Sequence, residues 1–306
     1  MTNKFETRVP GKFILTGEHA VLRGIPAVVF PLSGFHLELR YQATPSGPSD
    51  GVEIRVGPHQ NELRQALWSV LERAQKLAGH RGEFMGIIEV QSQIPVGSGL
   101  GASAALTVAV ARLCQYLGWI GAEDLLDFAR EMENIFHGES SGVDVAAVHK
   151  AQPLIYVRGV APKVFSPLWR PTFILRASGS KGLTSDCIAR VKRLWETDLP
   201  RARQIDEMMR QSSLLSVQAM TELSAEKGLG LLAEALSMGR ECFSRWGLET
   251  PEMKASAEEL LRRGCLAVKP TGSGAGGYVL GLWPQGKTPP DSDLVIVGTP
   301  ELSETF

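Results

Sequence analysis

The chain has 306 residues, 43% of them hydrophobic and 21% charged, which is enough for packed cores and, at about 150 residues per domain, for two of them. Thirty-two Lys and Arg against 33 Asp and Glu leave a net charge of -1, so no overall field draws nucleic acid or an anionic membrane, and any polyanion site has to be local. The start, MTNKFETRVPGK, lacks the apolar segment of a secretory signal and no stretch carries ~18 uninterrupted apolar residues, so a cytoplasmic protein is expected.

Cys114, Cys187, Cys242 and Cys265 form no CxxC pair, and His19, His36, His59, His80, His137 and His149 form no HxH or HxxxH pair. Buried thiols are expected, and neither a disulfide framework nor a transition-metal site is. Strand patterns cover residues 12–16, 27–30, 35–41 and 52–56, with 43–51 reading as a surface turn. Lys12 follows Pro10 and Gly11 at the head of the first strand, where a lone lysine reads equally as a solvated side chain or as part of a site. A helix over 60–77 repeats apolar residues at Leu63, Leu67, Val70, Leu71 and Ala74, and residues 86–94 alternate as a strand.

The next segment, residues 95–104 (PVGSGLGASA), joins that strand to an alanine-rich helix over 103–117, with Gly97, Gly99 and Gly101 in five residues and Gly118 as the stop. First-turn amides carry the positive end of the helix dipole, and glycines let backbone approach an anion, so phosphate suits the junction. The loop has neither the Walker nor the dinucleotide spacing, and a plain tight turn stays open. On the helix over 122–136, at roughly 100° per residue, Leu125, Leu126, Phe128, Ala129, Met132, Ile135 and Phe136 share an arc. Glu133 is the only charge inside it. A buried carboxylate requires a cation or donors, so Glu133 reads as a metal ligand, as the partner of a structural Lys or Arg, or as a sign that the buried edge lies elsewhere. Residues 137–144 (HGESSGVD) carry Asp144 into an apolar run over 145–148; Ser140, Ser141 and Asp144 all suit a helix start as well as a site.

A boundary is placed near residues 167–171. Beyond it a strand over 172–176 precedes helices over 185–195, 201–223, 231–246 and 251–263, the last with Thr250 and Pro251 at its start and Gly264 at its stop. Strands over 265–268, 278–283 and 293–297 follow, giving an α+β order in both halves. Between the first two lies a third glycine cluster, residues 269–277 (KPTGSGAGG), suited to close approach of a ligand or to a wide hairpin. Three clusters of backbone donors and one misplaced carboxylate are more economically one shared site than separate coincidences.

The ordered segments 10–26 (PGKFILTGEHAVLRGIP), 95–104 and 269–277 resemble the GHMP kinase superfamily, and they span nearly the whole chain. Within that group, GEHAV followed by Gly-x-Pro-Ala is most similar to the mevalonate kinases, whereas galactokinases tend to read GEHTDY and phosphomevalonate kinases GEYAV. The resemblance implies an α+β two-domain fold: a ribosomal-protein-like, ATP-binding and catalytic part over 1–168 and a ferredoxin-like part over 169–306 completing the cleft. It implies ATP over Pro95, Gly97, Ser98, Gly99, Leu100, Gly101, Ala102 and Ser103, with Mg²⁺ on Ser103 and Glu133. Asp144 resembles the catalytic aspartate and Lys12 the lysine that pairs with it. Glu18, His19, Ser141, Gly142, Thr184, Gly274 and Ala275 are then expected at the acceptor, with His19 donating to an anionic, hydroxylated substrate.

The implied activity is phosphorylation of mevalonate to 5-phosphomevalonate, without nucleic-acid or membrane partners; a homodimer is compatible with it. Phosphomevalonate kinase is the alternative, with Lys150, Arg176 or Lys181 available to a second phosphate. A non-catalytic ligand sensor of the same fold is expected to have lost Lys12, Glu133 or Asp144, and all are present. Departures from the family pattern are Ala102 in place of a loop serine, DVAAV after Gly142 and Val143, KAQP in place of Gly-Gly, and Ala177, Ser178 and Gly179 in place of Asp-Thr-Gly.

Overall fold

The structure, a computed structural model, describes residues 4–44, 51–57, 60–82, 84–138, 140–287 and 295–298. In chain order its elements begin β1 (Lys4–Thr16), a 3-10 turn (Ala20–Arg23), β2 (Ala27–Gln42), β3 (Val52–Val56), α1 (Asn61–Leu77) and β4 (Gly86–Ser92). They continue α2 (Ala102–Tyr116), α3 (Leu125–His137), α4 (Val143–Lys150), β5 (Leu154–Tyr156), β6 (Lys163–Val164) and β7 (Thr172–Ala177). The remainder is α5 (Thr184–Thr197), α6 (Leu199–Thr221), α7 (Ala225–Trp246), α8 (Pro251–Arg263), β8 (Ala267–Thr271), β9 (Tyr278–Trp283) and β10 (Val295–Gly298). Two compact units draw on alternating stretches of chain: Met1–Gly11, Ser33–Pro95 and Gly101–Ala151 form one, and Lys12–Leu32, Val96–Leu100 and Gln152–Phe306 the other.

In the first unit, the end of β2 runs antiparallel to β4, with Leu37 opposite Ser92 and Tyr41 opposite Ile88, and β3 lies parallel to β4. The apolar stripe of α1 is the buried one: Leu63, Leu67, Val70, Leu71 and Ala74. Helix α2 is buried from Ala104 through Ala111, so it reads apolar all round and lacks a sharp amphipathic stripe. Leu125, Phe128, Ala129 and Met132 bury the inner face of α3. Its arc is narrower than the sequence suggests, since Ile135 is 42% exposed and Leu126 and Phe136 are half-buried.

In the second unit, the start of β2 pairs antiparallel with β5 and β5 with β6. A four-stranded antiparallel sheet is ordered β10-β7-β9-β8. Phe13, Phe30, Phe165 and Phe173 cluster in this unit with ring centroids 5.4 to 6.0 Å apart. Helices α6 and α7 pack where Gly228 meets the Ala219 carbonyl so closely that an added Cβ would lie 2.3 Å away; the Trp169 indole donates to the same oxygen at 2.9 Å.

Several boundaries differ from the sequence reading for identifiable reasons. Pro10 and Gly11 hide the fact that β1 starts at Lys4, although Thr7 and Val9 are buried. Pro31 and Gly34 likewise suggest two strands where β2 is continuous; extended backbone accepts proline's φ and loses only one donor. Helix α6 starts two residues early, capped by Asp198, which accepts from the Arg201 amide at 3.2 Å. Helix α7 starts six residues early because Gly228 and Gly230 mask its first turns. Strand β8 falls later than the expected 265–268, at Ala267–Thr271, and residues 293 and 294 of the expected last strand, like 45–50 of the expected turn and His59, lie outside the described residues. The short strands β5 and β6 and the 3-10 turn carried no readable pattern. All four cysteines are free and buried, and burial pushes the thiols of Cys114, Cys242 and Cys265 up to about 12. Among the described residues, no helix is long and apolar enough to cross a membrane.

Candidate active site

In the second unit the glycine-rich loop is held by its own backbone geometry and by Lys12. Gly97 and Gly99 adopt φ of 70° and 76°, where only glycine is at ease, and Gly101 at 87° caps α2 with no side-chain hydrogen bond. The first intrahelical bond of α2 runs from the Ala105 amide to the Gly101 carbonyl, so the amides before it have no acceptor within the helix. Lys12, 1% exposed, donates from Nζ to the Gly99 carbonyl at 3.0 Å, and its amide donates to the Leu100 carbonyl at 2.9 Å. The lysine is therefore buried against the loop, and the solvated reading of it falls.

The third glycine cluster meets the same loop. A Cβ on Gly272 would lie 2.8 Å from the Gly99 Cα, and one on Gly277 would lie 2.7 Å from the Ser98 carbonyl oxygen. Backbone packs on backbone there, which explains glycine at both positions without appeal to turn type. The Thr271 hydroxyl accepts from the Ile14 amide at 3.1 Å and donates to the Ile14 carbonyl at 2.9 Å, tying β8 to β1. Gly182 meets the carbonyls of Gly274 and Ala275, the Gly277 amide donates to the Ser180 carbonyl at 2.8 Å, and the Thr184 and Ser273 hydroxyls lie 3.2 Å apart. The segment from Ser178 to Thr184, where the family's acidic residue is absent, thus lines the cluster through hydroxyls and backbone.

At the end of β1, Glu18 and Lys269 form an ion pair with both side chains buried. Burial raises the Glu18 carboxyl and lowers the Lys269 ammonium, while each charge opposes that drift in the other. His19 is 7% exposed and rests edge-on against Trp246 and Phe243, with centroids 5.2 and 6.1 Å away. Burial holds its pKa down at about 4, against the smaller raising effect of the Ser273 carbonyl, so the ring is neutral. Its Nε2 lies 2.8 Å from that carbonyl, which can only accept, and Nε2 therefore carries the proton. Nδ1 is left as an acceptor, the reverse of the donor role expected from the sequence.

In the first unit, Glu133 is 1% exposed on α3 and its carboxylate accepts a hydrogen bond from the Ser140 hydroxyl, which in turn accepts from the Gly142 amide at 3.1 Å. The anomaly read from helical periodicity is real: a carboxylate is buried, and a connecting-loop hydroxyl orients it. Ser141 Oγ accepts from the Val143 amide at 3.3 Å, and Gly142, at φ 82°, caps α4. Asp144 stands half-buried in the first turn of α4, and Ser103, also half-buried, in the first turn of α2. Glu133 and Ser103 are hard oxygen donors, and no group of three or more metal-binding side chains occurs among the described residues. That donor set fits Mg²⁺, which keeps waters and phosphate oxygens and takes few protein ligands. Sequence reasoning missed the pairing of Ser140 with Glu133 and the parts of Lys269 and the Ser273 carbonyl; the only signal for Lys269 was its place at the head of the glycine cluster.

Residues 61–151 match the GHMP kinases N terminal domain family, and residues 219–293 match GHMP kinases C terminal. The chain is 32% identical over 295 residues to mevalonate kinase of Archaeoglobus fulgidus, covering 94% of each chain. It is 30% identical over 300 residues to mevalonate kinase of Aeropyrum pernix, covering 91% of this chain and 88% of the other. The fold matches the crystal structure of L. major mevalonate kinase in complex with R-mevalonate at a TM-score of 0.78 and 20% identity, over 94% of this chain and 90% of that one. The chain belongs to the GHMP kinases, and among them it is most like the mevalonate kinases.

Proposed function

We propose that the protein transfers the γ-phosphoryl group of ATP to the terminal hydroxyl of mevalonate, giving 5-phosphomevalonate. The observation that carries this reading is the left-handed glycine loop packed backbone to backbone on the third glycine cluster, with a buried lysine donating into it. Phosphoryl transfer needs little covalent help from protein; it needs alignment and positive charge around the equatorial oxygens. The Gly97 to Gly101 amides and the α2 first turn hold the phosphates, and Lys12 supplies positive charge beside the loop. Ser103 and Glu133 would hold Mg²⁺, which when bound would supply neutralisation of the phosphate charge. Asp144 accepts or orients the proton of the attacking hydroxyl. His19, Thr184 and the backbone of Gly274 and Ala275 are the groups we assign to the acceptor.

A coupled assay over mevalonate, phosphomevalonate, homoserine and galactose tests the acceptor. Turnover with mevalonate and little with the others is expected. Turnover with phosphomevalonate alone would reassign the enzyme, a reading supported by Lys181, whose stem lies 4.0 Å from where a Gly97 side chain would start.

The nucleotide half has its own test. An alanine at Gly272 would sit at φ +88° with its Cβ 2.8 Å from the Gly99 Cα, so the two loops must separate. Gly272→Ala is expected to raise the KM for ATP by about tenfold or more while the acceptor KM stays within about twofold. An unchanged KM for ATP would show that the contact between the clusters does not shape the nucleotide loop.

A further inference from the structure

A buried ion pair is a costly way to fill space, since desolvation of both charges offsets much of their attraction and apolar side chains pack as well. Glu18 and Lys269 are 2% and 0% exposed, and the molecule makes specific room for them. Gly239 on α7 leaves space for the Lys269 stem, where an added Cβ would come within 3.2 Å of Cε, and the Phe243 ring lies 5.2 Å from Nζ. Nζ donates to Glu18 and to the Pro270 carbonyl.

The pair sits where the backbone is strained. His19, next to Glu18, has φ 56° and ψ -44°, a conformation uncommon outside glycine. Four residues after Lys269, the Ser273 carbonyl receives the His19 Nε2 proton, and Ala275 beyond it has φ 55°. Ala275 is fixed in turn by its amide, which donates to the Leu248 carbonyl at 2.7 Å. One hydrogen bond, from His19 to the Ser273 carbonyl, thus links two segments that each carry a positive-φ non-glycine residue, His19 and Ala275, and one buried ion pair joins the same segments.

We propose that Glu18 and Lys269 are positioning residues that lock the strained Gly17–His19 turn onto the Ser273–Gly277 loop, so that His19 meets the acceptor with Nδ1 aimed to receive a substrate hydroxyl proton. This assigns Glu18 a role through Lys269 and His19 in place of direct contact with substrate, and it deepens the kinase reading above. It also sets a specificity rule: the group facing His19 is a hydroxyl, and a carboxylate there would meet a lone pair.

Lys269→Met, Glu18→Gln and the double variant test the proposal against the parent enzyme. The readouts are kcat, both KM values, melting temperature and the downfield imidazole N–H proton signal of His19, assigned by its loss in His19→Asn. In each variant that folds, the KM for mevalonate is expected to rise about tenfold or more, with the KM for ATP within about twofold, and the His19 signal to broaden or vanish. The double variant, which leaves no lone buried charge, is expected to melt near the parent while keeping the kinetic defect. A double variant with parental KM for mevalonate and a sharp His19 signal overturns the positioning role. A parent without turnover on mevalonate would instead remove the acceptor assignment, and the His19 signal would still decide the role of the pair.

Discussion

Asp144→Ala is expected to lower kcat by about 10³-fold or more, the magnitude of a lost positioned base, while the KM for ATP changes by no more than about twofold. Such a loss corresponds to ~4 kcal/mol of transition-state stabilisation. Fold stability should survive the change. Ser141 Oγ already accepts from the Val143 amide and Gly142 closes the start of α4, so the helix retains its cap without the aspartate. What α4 loses is a favourable charge near its N-terminus, about 0.3–1 kcal/mol. The measurement is steady-state kinetics beside a thermal melt: a melting temperature near that of the parent with turnover nearly abolished is the expected pair of results. Parental turnover would remove Asp144 from the mechanism, and a collapsed melting transition would mark it as structural.

Much of this site was legible because it rests on rules of local geometry. The glycine-rich loop was visible because positive φ calls for glycine, and Gly97, Gly99 and Gly101 are all left-handed in the fold. Glu133 was visible because helical periodicity is strict: one carboxylate in an apolar arc stands out, and it is buried to 1% exposure. Helix α8 and strand β9 were legible to the residue, since Thr250, Pro251 and Gly264 mark one and a short apolar run directly after the glycine cluster marks the other. The rest depends on long-range contacts that leave no local trace. Nothing around Lys269 says that its partner is Glu18, 251 positions away, and nothing around His19 says that its proton goes to Ser273. The donor role expected for His19 followed from substrate charge alone. The tautomer is set by a carbonyl from the far end of the chain, and only the fold supplies it.

Acid is expected to destabilise the protein through His19 over a defined window. The folded ring is held neutral down to about pH 4 by burial, whereas in the unfolded chain it protonates near its ordinary 6.5. Between those values the unfolded state binds a proton that the native state refuses, so stability conferred by the neutral ring is fully present above pH 6.5 and lost as pH falls toward 4. The loss from this one residue reaches about 3 kcal/mol. Burial also holds the half-buried His149 down at about 4, so the comparison of interest is between the parent and His19→Asn. The variant's melting temperature should fall less steeply between pH 6.5 and 4, because the group responsible is gone. The same neutral ring makes a kinetic prediction: the KM for the acceptor should stay flat through pH 6.5, since His19 does not change charge there. A step in that KM centred near pH 6.5 and abolished in His19→Asn would mean that the ring is protonated in the working enzyme, and the hydroxyl-accepting role of Nδ1 would fall with it.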